Sequence, residues 1–155
     1  MRLRALELNE NKLNPIFDSP ESQQLLGIYE SYYPKIGFIP PWIAYLILKD
    51  DKVVGTCSFT GSPKDGAVEI AYWTFKKFEG QGVASFACAA LISIVEKENP
   101  DLKVIAKTAP EHNASTKILE KNGFMFSKIV QDDDIGDAWL WIRNASIDSQ
   151  NHMKS

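Results

Sequence analysis

The sequence predicts a mixed α/β fold, a single central sheet carrying helices on both faces. Three observations lead there. Short alternating or apolar runs, each bounded by turn residues, recur along the chain, and two of them flank Asp50-Asp51-Lys52 as a hairpin. Apolar residues recur at helical spacing in separate stretches between those runs. One aromatic-rich run also passes through the glycines Gly80 and Gly82 straight into an amphipathic helix. That alternation of strands and helices is the pattern of a layered α/β domain.

Taken in order, RLRALEL (2–8) alternates and reads as the first strand. Ser19 then caps a helix with Pro20 at its first position. It continues through QQLLGIYESYY and is expected to end before Pro34, because a proline has no N–H for the helical ladder. Residues 35–42, with two prolines, form a loop. IAYLILK (43–49) and VVGTCSF (53–59) pair as a hairpin, and the turn SPKDG leads into the strand AVEIAYWTF (67–75). Beyond the glycine loop, Val83, Phe86, Ala87, Ala90, Leu91, Ile94 and Val95 recur at helical spacing, so one stripe of that helix should pack on the sheet. LKVIAKT (102–108) is a strand, and ASTKILEK (114–121) is a helix stopped by Asn122-Gly123. FMFSKIV (124–130) and AWLWIR (138–143) form a closing strand pair around the acidic turn DDDIGD. The expected order is β-α-β-β-β-α-β-α-β-β in one domain over residues 1–143, followed by a polar, frayed tail at 144–155.

Bulk properties narrow the function. A chain of 155 residues, 45% of them hydrophobic, is large enough for a sizeable core. The net charge of −3, with Lys and Arg scattered, argues against nucleic acid as a partner, since phosphate neutralisation wants a basic face. The N-terminus lacks the apolar core of a secretion signal and no apolar run is long enough to span a membrane, so a cytoplasmic protein is expected. Cys57 and Cys88 lie far apart in apolar patterns, which suits buried small hydrophobes and neither a metal knuckle nor a redox pair. No metal site is expected.

Gly80-Gln81-Gly82-Val83-Ala84-Ser85 lies between a strand and a helix, where free backbone N–H groups meet the positive helix end and form a cradle for phosphate. Read alone, it leaves a plain tight turn or several phosphates open. A dinucleotide site is opposed by Ser85 in place of a third glycine and by the position of the loop after a run of strands. The next strand also ends in Lys107 and Thr108, without a ribose-binding carboxylate. A Walker loop is excluded because no Lys-Ser/Thr pair follows.

A second motif runs from Thr108 to Phe124, TAPEHNASTKILEKNGF, one helix and one strand further on. Together the two motifs resemble motifs A and B of the GNAT superfamily of acyl-CoA N-acyltransferases. The resemblance is strong from Val53 to Phe124, extends by element order over nearly the whole chain, and is closest in flavour to the ribosomal-protein-type acetyltransferases. It implies a GNAT-type mixed central sheet and acetyl-CoA as co-substrate. It further implies that loop amides from Glu79, Gly80, Gln81, Gly82, Val83, Ala84 and Ser85 hold the pyrophosphate of coenzyme A. Trp73, Thr74 and Phe75 would bond the pantetheine arm through their backbone, with Asn113 and Ser115 facing it from the other side. Three positions depart from the family pattern: Glu79 stands where Arg or Gln is usual, His112 where Asn is common, and Leu119 where many relatives place an acidic tyrosine.

An amine acceptor with a pKa near 10.4 is neutral in only about one molecule in several thousand at pH 7, so a nearby base helps it react. Glu69, a carboxylate in an apolar strand, is the candidate base, as in histone-type members of the superfamily. A plain strand-edge glutamate paired with lysine is the alternative. For the proton that the leaving thiolate needs, Ser115 and Tyr72 are candidates, against the simpler readings of a helix cap and core packing. A backbone N–H within Tyr72–Thr74 would stabilise the oxyanion. Tyr29, Tyr32, Tyr33, Phe38 and Trp42 make the region around the first helix aromatic and suit it to line an acceptor pocket. The expected reaction is acetyl transfer from acetyl-CoA to a small-molecule or peptide amine by direct attack through a tetrahedral intermediate. A coenzyme-binding regulatory domain with little catalysis is the alternative. The closing strands leave an edge that could face a second copy as a homodimer.

Overall fold

Why the chain folds into one sheet is clearest at its hairpins. In the computed structural model, which describes residues 1–145, β2 (Ala44–Lys49) and β3 (Lys52–Phe59) join through only Asp50 and Asp51, with Lys49 opposite Lys52. Both aspartates have positive φ, 52° and 61°. That is the backbone a two-residue turn requires to match strand twist, and short Asp side chains tolerate it.

Seven strands form one sheet in the order β1-β2-β3-β4-β5-β7-β6, with β1 at Arg2–Ala5, β4 at Ala67–Thr74, β5 at Lys103–Thr108, β6 at Met125–Asp132 and β7 at Gly136–Arg143. Every neighbour pair is antiparallel except β4 and β5, which are parallel. A parallel pair needs a long crossover, and α2 (Val83–Glu98) supplies it. With α1 (Pro20–Ile36) and α3 (Ala114–Lys121), the element order is the expected one.

The two faces of the sheet carry separate cores. On one, Leu25, Leu26 and Tyr33 of α1 pack with Leu46 and Leu48 of β2 and with Phe75. On the other, Val83, Ala87, Leu91 and Val95 of α2 pack with Phe59, Val68, Ile70 and Val104. Leu119 of α3 is buried there too. The buried stripe of α2 is rotated from the expected one: Cys88 and Ile92 are buried, whereas Phe86, Ala90 and Ile94 are only partly covered. Both cysteines are buried, as expected, and burial pushes the thiols up, Cys57 to about 12 and Cys88 to about 11.

Two further boundaries differ from expectation. Helix α1 does not end before Pro34 but runs through it to Ile36, closing with Gly37 N–H donating to the Tyr33 carbonyl at 2.8 Å. Tertiary anchoring outweighs the cost of the proline: the buried Tyr33 hydroxyl donates to the Leu6 carbonyl at 2.6 Å and accepts from the Ala44 N–H at 3.2 Å. Strand β1 stops at Ala5 rather than Leu8, because the Glu10 carboxylate accepts from the Glu7 N–H at 2.7 Å and pairs with Arg4, turning the chain away from the sheet. Ser19 caps α1 as expected. Ala145, within the stretch expected to fray, is buried, and the rest of that tail lies outside the described residues. Among the described residues, no helix is long and apolar enough to cross a membrane.

Candidate active site

The central geometric feature is a parting of two parallel strands. Strands β4 and β5 pair from Ala67↔Lys103 to Ile70↔Ala106 and no further. Strand β4 nonetheless continues to Thr74, held on its other side by β3 through Ser58↔Ala71, Cys57↔Tyr72, Thr56↔Trp73 and Gly55↔Thr74. From Ala71 to Thr74 the β5-facing edge of β4 is therefore released from the ladder, and its N–H and C=O groups are available to a ligand.

Glycine conformation and helix geometry build the wall beside this gap. Gly80 and Gly82 have φ of 78° and 80°, a region where a side chain would be strained. Gly82 is also the N-cap of α2 and makes no side-chain cap bond, so first-turn amides of the helix remain for a ligand at its positive end. A cleft of about 520 Å³ results, lined by Tyr72, Trp73 and Thr74 from β4, by Glu79, Gly80, Gly82, Val83, Ala84 and Ser85, and by Asn113, Ala114, Ser115 and Ile118 around α3.

A smaller cavity of about 230 Å³ adjoins it and shares Tyr72, Asn113 and Ser115. Its lining alternates across the sheet, with Ile70 and Ala106 from the α2 face and Ala71 and Lys107 from the α1 face. The gap between the strands thus leads from one face of the sheet toward the other.

Most residues expected at a coenzyme site meet in this cleft; two do not. Phe75 is buried in the α1-side core, its N–H donating to Val54 and its carbonyl accepting from Phe78. Gln81 does not line the cleft and accepts a hydrogen bond from Lys49 at 3.2 Å. Asn113 lines both cavities, but its amide oxygen caps α3 by accepting from the Thr116 N–H at 3.2 Å, and its amide nitrogen donates to Glu111 at 3.3 Å. The capping role imagined for Ser115 thus falls to Asn113, and Ser115 is an exposed second residue of α3. Tyr72 lines both cavities, and burial pushes its phenol well above the usual range.

Glu69 lines neither cavity. It sits beside Ile105 in the paired part of β4, with Oε1 3.6 Å from Lys107 Nζ. Burial raises its carboxyl above the ordinary value, with Lys107 lowering it and Asp132 raising it further. Of the aromatics around α1, Tyr33 is core, Trp42 packs edge-on against Phe59 at 5.1 Å, and Tyr32 lies in the electrostatic reach of Glu69. Leu119 is fully buried and His112 packs edge-on against Trp139 at 4.8 Å.

Ile118, Lys107 and Asp132 belong to this region and were not among the expected site residues. Ile118 falls three and four residues after Ser115 and Ala114, a helical spacing that marks the cleft face of α3. Lys107 and Asp132 meet Glu69 only through strand register, which single-sequence spacing does not give.

The family model of the acetyltransferase (GNAT) domain matches residues 13–125, the span that holds both motifs and the parted strands. The chain belongs to the GNAT acetyltransferase family. A ribosomal-protein-serine acetyltransferase of Escherichia coli (strain K12) is 29% identical to it over 82 residues, 52% of this chain and 46% of that protein. The match thus spans about half the length of that curated relative. Among solved structures, a ribosomal alpha-N-protein acetyltransferase in complex with coenzyme A aligns with a TM-score of 0.60 at 22% identity, covering 80% of this GNAT chain and 71% of that one. A spermidine N-acetyltransferase chimera from Vibrio cholerae aligns with a TM-score of 0.66 at 16% identity, covering 97% and 99%. These structures share the GNAT fold, and the seven-stranded mixed sheet with helices on both faces is that fold.

Proposed function

We propose that this protein is an N-acetyltransferase that passes the acetyl group of acetyl-CoA directly to a primary amine. The observation that carries the reading is the gap beyond Ile70 and Ala106, where two cavities meet at Tyr72, Asn113 and Ser115. One has the glycine-lined, helix-capped wall suited to a pyrophosphate. The other is lined by Lys107, whose ammonium group pairs with the Glu69 carboxylate at 3.6 Å.

In this reading the amides around Gly80 to Ser85 hold the pyrophosphate and the released edge of β4 holds the pantetheine arm. Trp73 and Thr74 act there through their backbone. Glu79 lines the same cleft but is exposed, so solvent and salt screen its repulsion of a pyrophosphate, which several amide bonds outweigh. The acceptor amine approaches from the Glu69 side and gives a proton to its carboxylate. The amine nitrogen then attacks the thioester carbon, and a backbone N–H within Tyr72–Thr74 stabilises the resulting oxyanion. Collapse breaks the C–S bond; the thiolate takes a proton from Ser115 or Tyr72, and that donor regains one from the attacking nitrogen as the amide forms. Tyr72 and Ser115 both line the two cavities, which supports either as that donor.

The buried Leu119, in place of an acidic tyrosine, supports the second reading, a coenzyme-binding regulatory domain. Relatives named for acetylating a ribosomal protein and spermidine support an amine acceptor, whether on a peptide or on a small molecule. A cytoplasmic setting is consistent with such acceptors. Incubation with acetyl-CoA and a panel of amines, read by mass spectrometry, tests the proposal. Acetylated acceptor and a thermal shift with coenzyme A but not with NAD are expected. Coenzyme binding without product from any acceptor would favour the regulatory domain.

A further inference from the structure

Lys107 stands one residue past the last pairing of β4 with β5 and on the same face of the sheet as Glu69, which is set by the registers Glu69↔Ile105 and Ile70↔Ala106. Its Nζ lies 3.6 Å from Glu69 Oε1 and 4.0 Å from Asp132 Oδ2. The same side chain lines the smaller cavity with Ala71, Tyr72 and Ser115. Glu69 lines neither of the two cavities, so Lys107 is its link to the gap between the strands.

We propose that Lys107 is a positioning residue for Glu69, holding the carboxylate toward the gap and keeping it ionised, ready for the proton of an incoming amine. The inference rests on the reading of Glu69 as the base. Partial burial makes a lone carboxylate costly to ionise, and a cation at ion-pair distance offsets that cost. Three elements present titratable groups here: Lys107 from β5, Asp132 from β6 and the Tyr32 phenol from α1, with Asp134 nearer Tyr32 than Glu69 in influence. Only Lys107 is positive. Without it, Glu69 and Asp132 face each other with no cation between them, and both the burial and the like charge favour protonated Glu69.

The test is the pH profile of kcat/KM for the wild type, Lys107→Met, Lys107→Arg and Glu69→Gln, each with its thermal melt. Lys107→Met should move the acid limb to higher pH, with a loss of about tenfold for each unit moved at pH values below the limb and recovery above it. Lys107→Arg, which keeps the charge, should leave the limb near its original place. A Lys107→Met limb that coincides with the wild-type limb overturns the inference. Glu69→Gln separates the two claims. If it abolishes the limb while Lys107→Met leaves the wild-type limb unmoved, only the role of Lys107 fails; if it leaves the limb intact, the base reading fails and the inference with it. Carbon-13 NMR titration of the Glu69 carboxyl in wild type and Lys107→Gln measures the effect without turnover. An upward move in the variant supports the inference and an unmoved titration overturns it.

Discussion

Ile70 is the last residue of β4 to pair with β5, opposite Ala106, although β4 runs on to Thr74. The strand survives this loss of a neighbour because β3 still pairs with it up to Gly55↔Thr74. Holding one edge and releasing the other gives a rigid rail of backbone groups, while α2 and α3 stand to either side of the opening. The groove is obtained from register, with β3 holding the edge of β4 that β5 releases.

The first prediction concerns the glycine wall. Gly82 has φ of 80° and an added Cβ there meets no atom within 4 Å, so strain and not crowding is the cost of Gly82→Ala. A left-handed backbone costs an ordinary residue about 1–2 kcal/mol. The variant should melt about 2–8 °C lower and bind coenzyme A about tenfold more weakly by calorimetry, as the amides leave their places. Gly136→Ala is the control: its φ of 76° and open surroundings carry the same strain at the first residue of β7. It should lose similar stability and keep coenzyme affinity. Equal affinity loss in both variants would count against the cradle.

Gly55 makes a different prediction. A Cβ at this position would lie 2.4 Å from the Trp73 carbonyl oxygen and 3.1 Å from Thr74 Cα, both backbone atoms that cannot swing aside. Gly55→Ala should therefore push β4 away from β3 and cost about 3 kcal/mol, at the upper end for overpacking. Urea unfolding measures the cost. Because Trp73 and Thr74 line the cleft, the thermal shift produced by coenzyme A should shrink as well.

Much of this fold is legible in the sequence because its cues are local. Asp50-Asp51 between apolar runs specifies a tight hairpin, Ser19-Pro20 a helix start and Asn122-Gly123 a helix stop. The glycine loop and the segment after Thr108 likewise announce the two walls of the cleft. What escapes is set by contacts between distant residues. Pro34 stays within α1 because the hydroxyl of Tyr33 reaches Leu6 and Ala44 across the fold. Lys107 meets Glu69 through a parallel register 38 positions apart, and Phe75 leaves the cleft because Val54 claims its N–H. No periodicity encodes such pairings.

The Tyr33 hydroxyl is itself testable. It is buried, donates to the Leu6 carbonyl and accepts the Ala44 N–H, tying α1 to the start of β2 and the end of β1. Burial also pushes this phenol well above its usual range, so it remains a neutral donor. Tyr33→Phe keeps the ring and strips partners from two backbone groups, which should cost about 1–3 kcal/mol. Chemical denaturation would read the loss, and kcat should change little, since Tyr33 lines neither cleft cavity. A neutral substitution would mean that water replaces the hydroxyl.

The burial of Glu69 sets a stability trend with a definite sign. Its carboxyl is raised above the ordinary value of 4.5, burial outweighing the pull of Lys107. The folded protein therefore binds this proton more tightly than the unfolded chain does. Stability contributed by the group is complete below the ordinary value and falls as pH rises to the raised one, because the ionised form is the costly one to bury. Glu69→Gln removes that titration. The melting temperature of the variant relative to the parent should move in the variant's favour as pH rises above the ordinary value, then level off once Glu69 is ionised in the folded protein too. The same substitution should lower turnover with little change in coenzyme affinity, so a residue that costs stability at neutral pH would be supporting the chemistry. Melting curves recorded across that range decide it: a difference constant with pH would show that Glu69 titrates alike in the folded and unfolded chains.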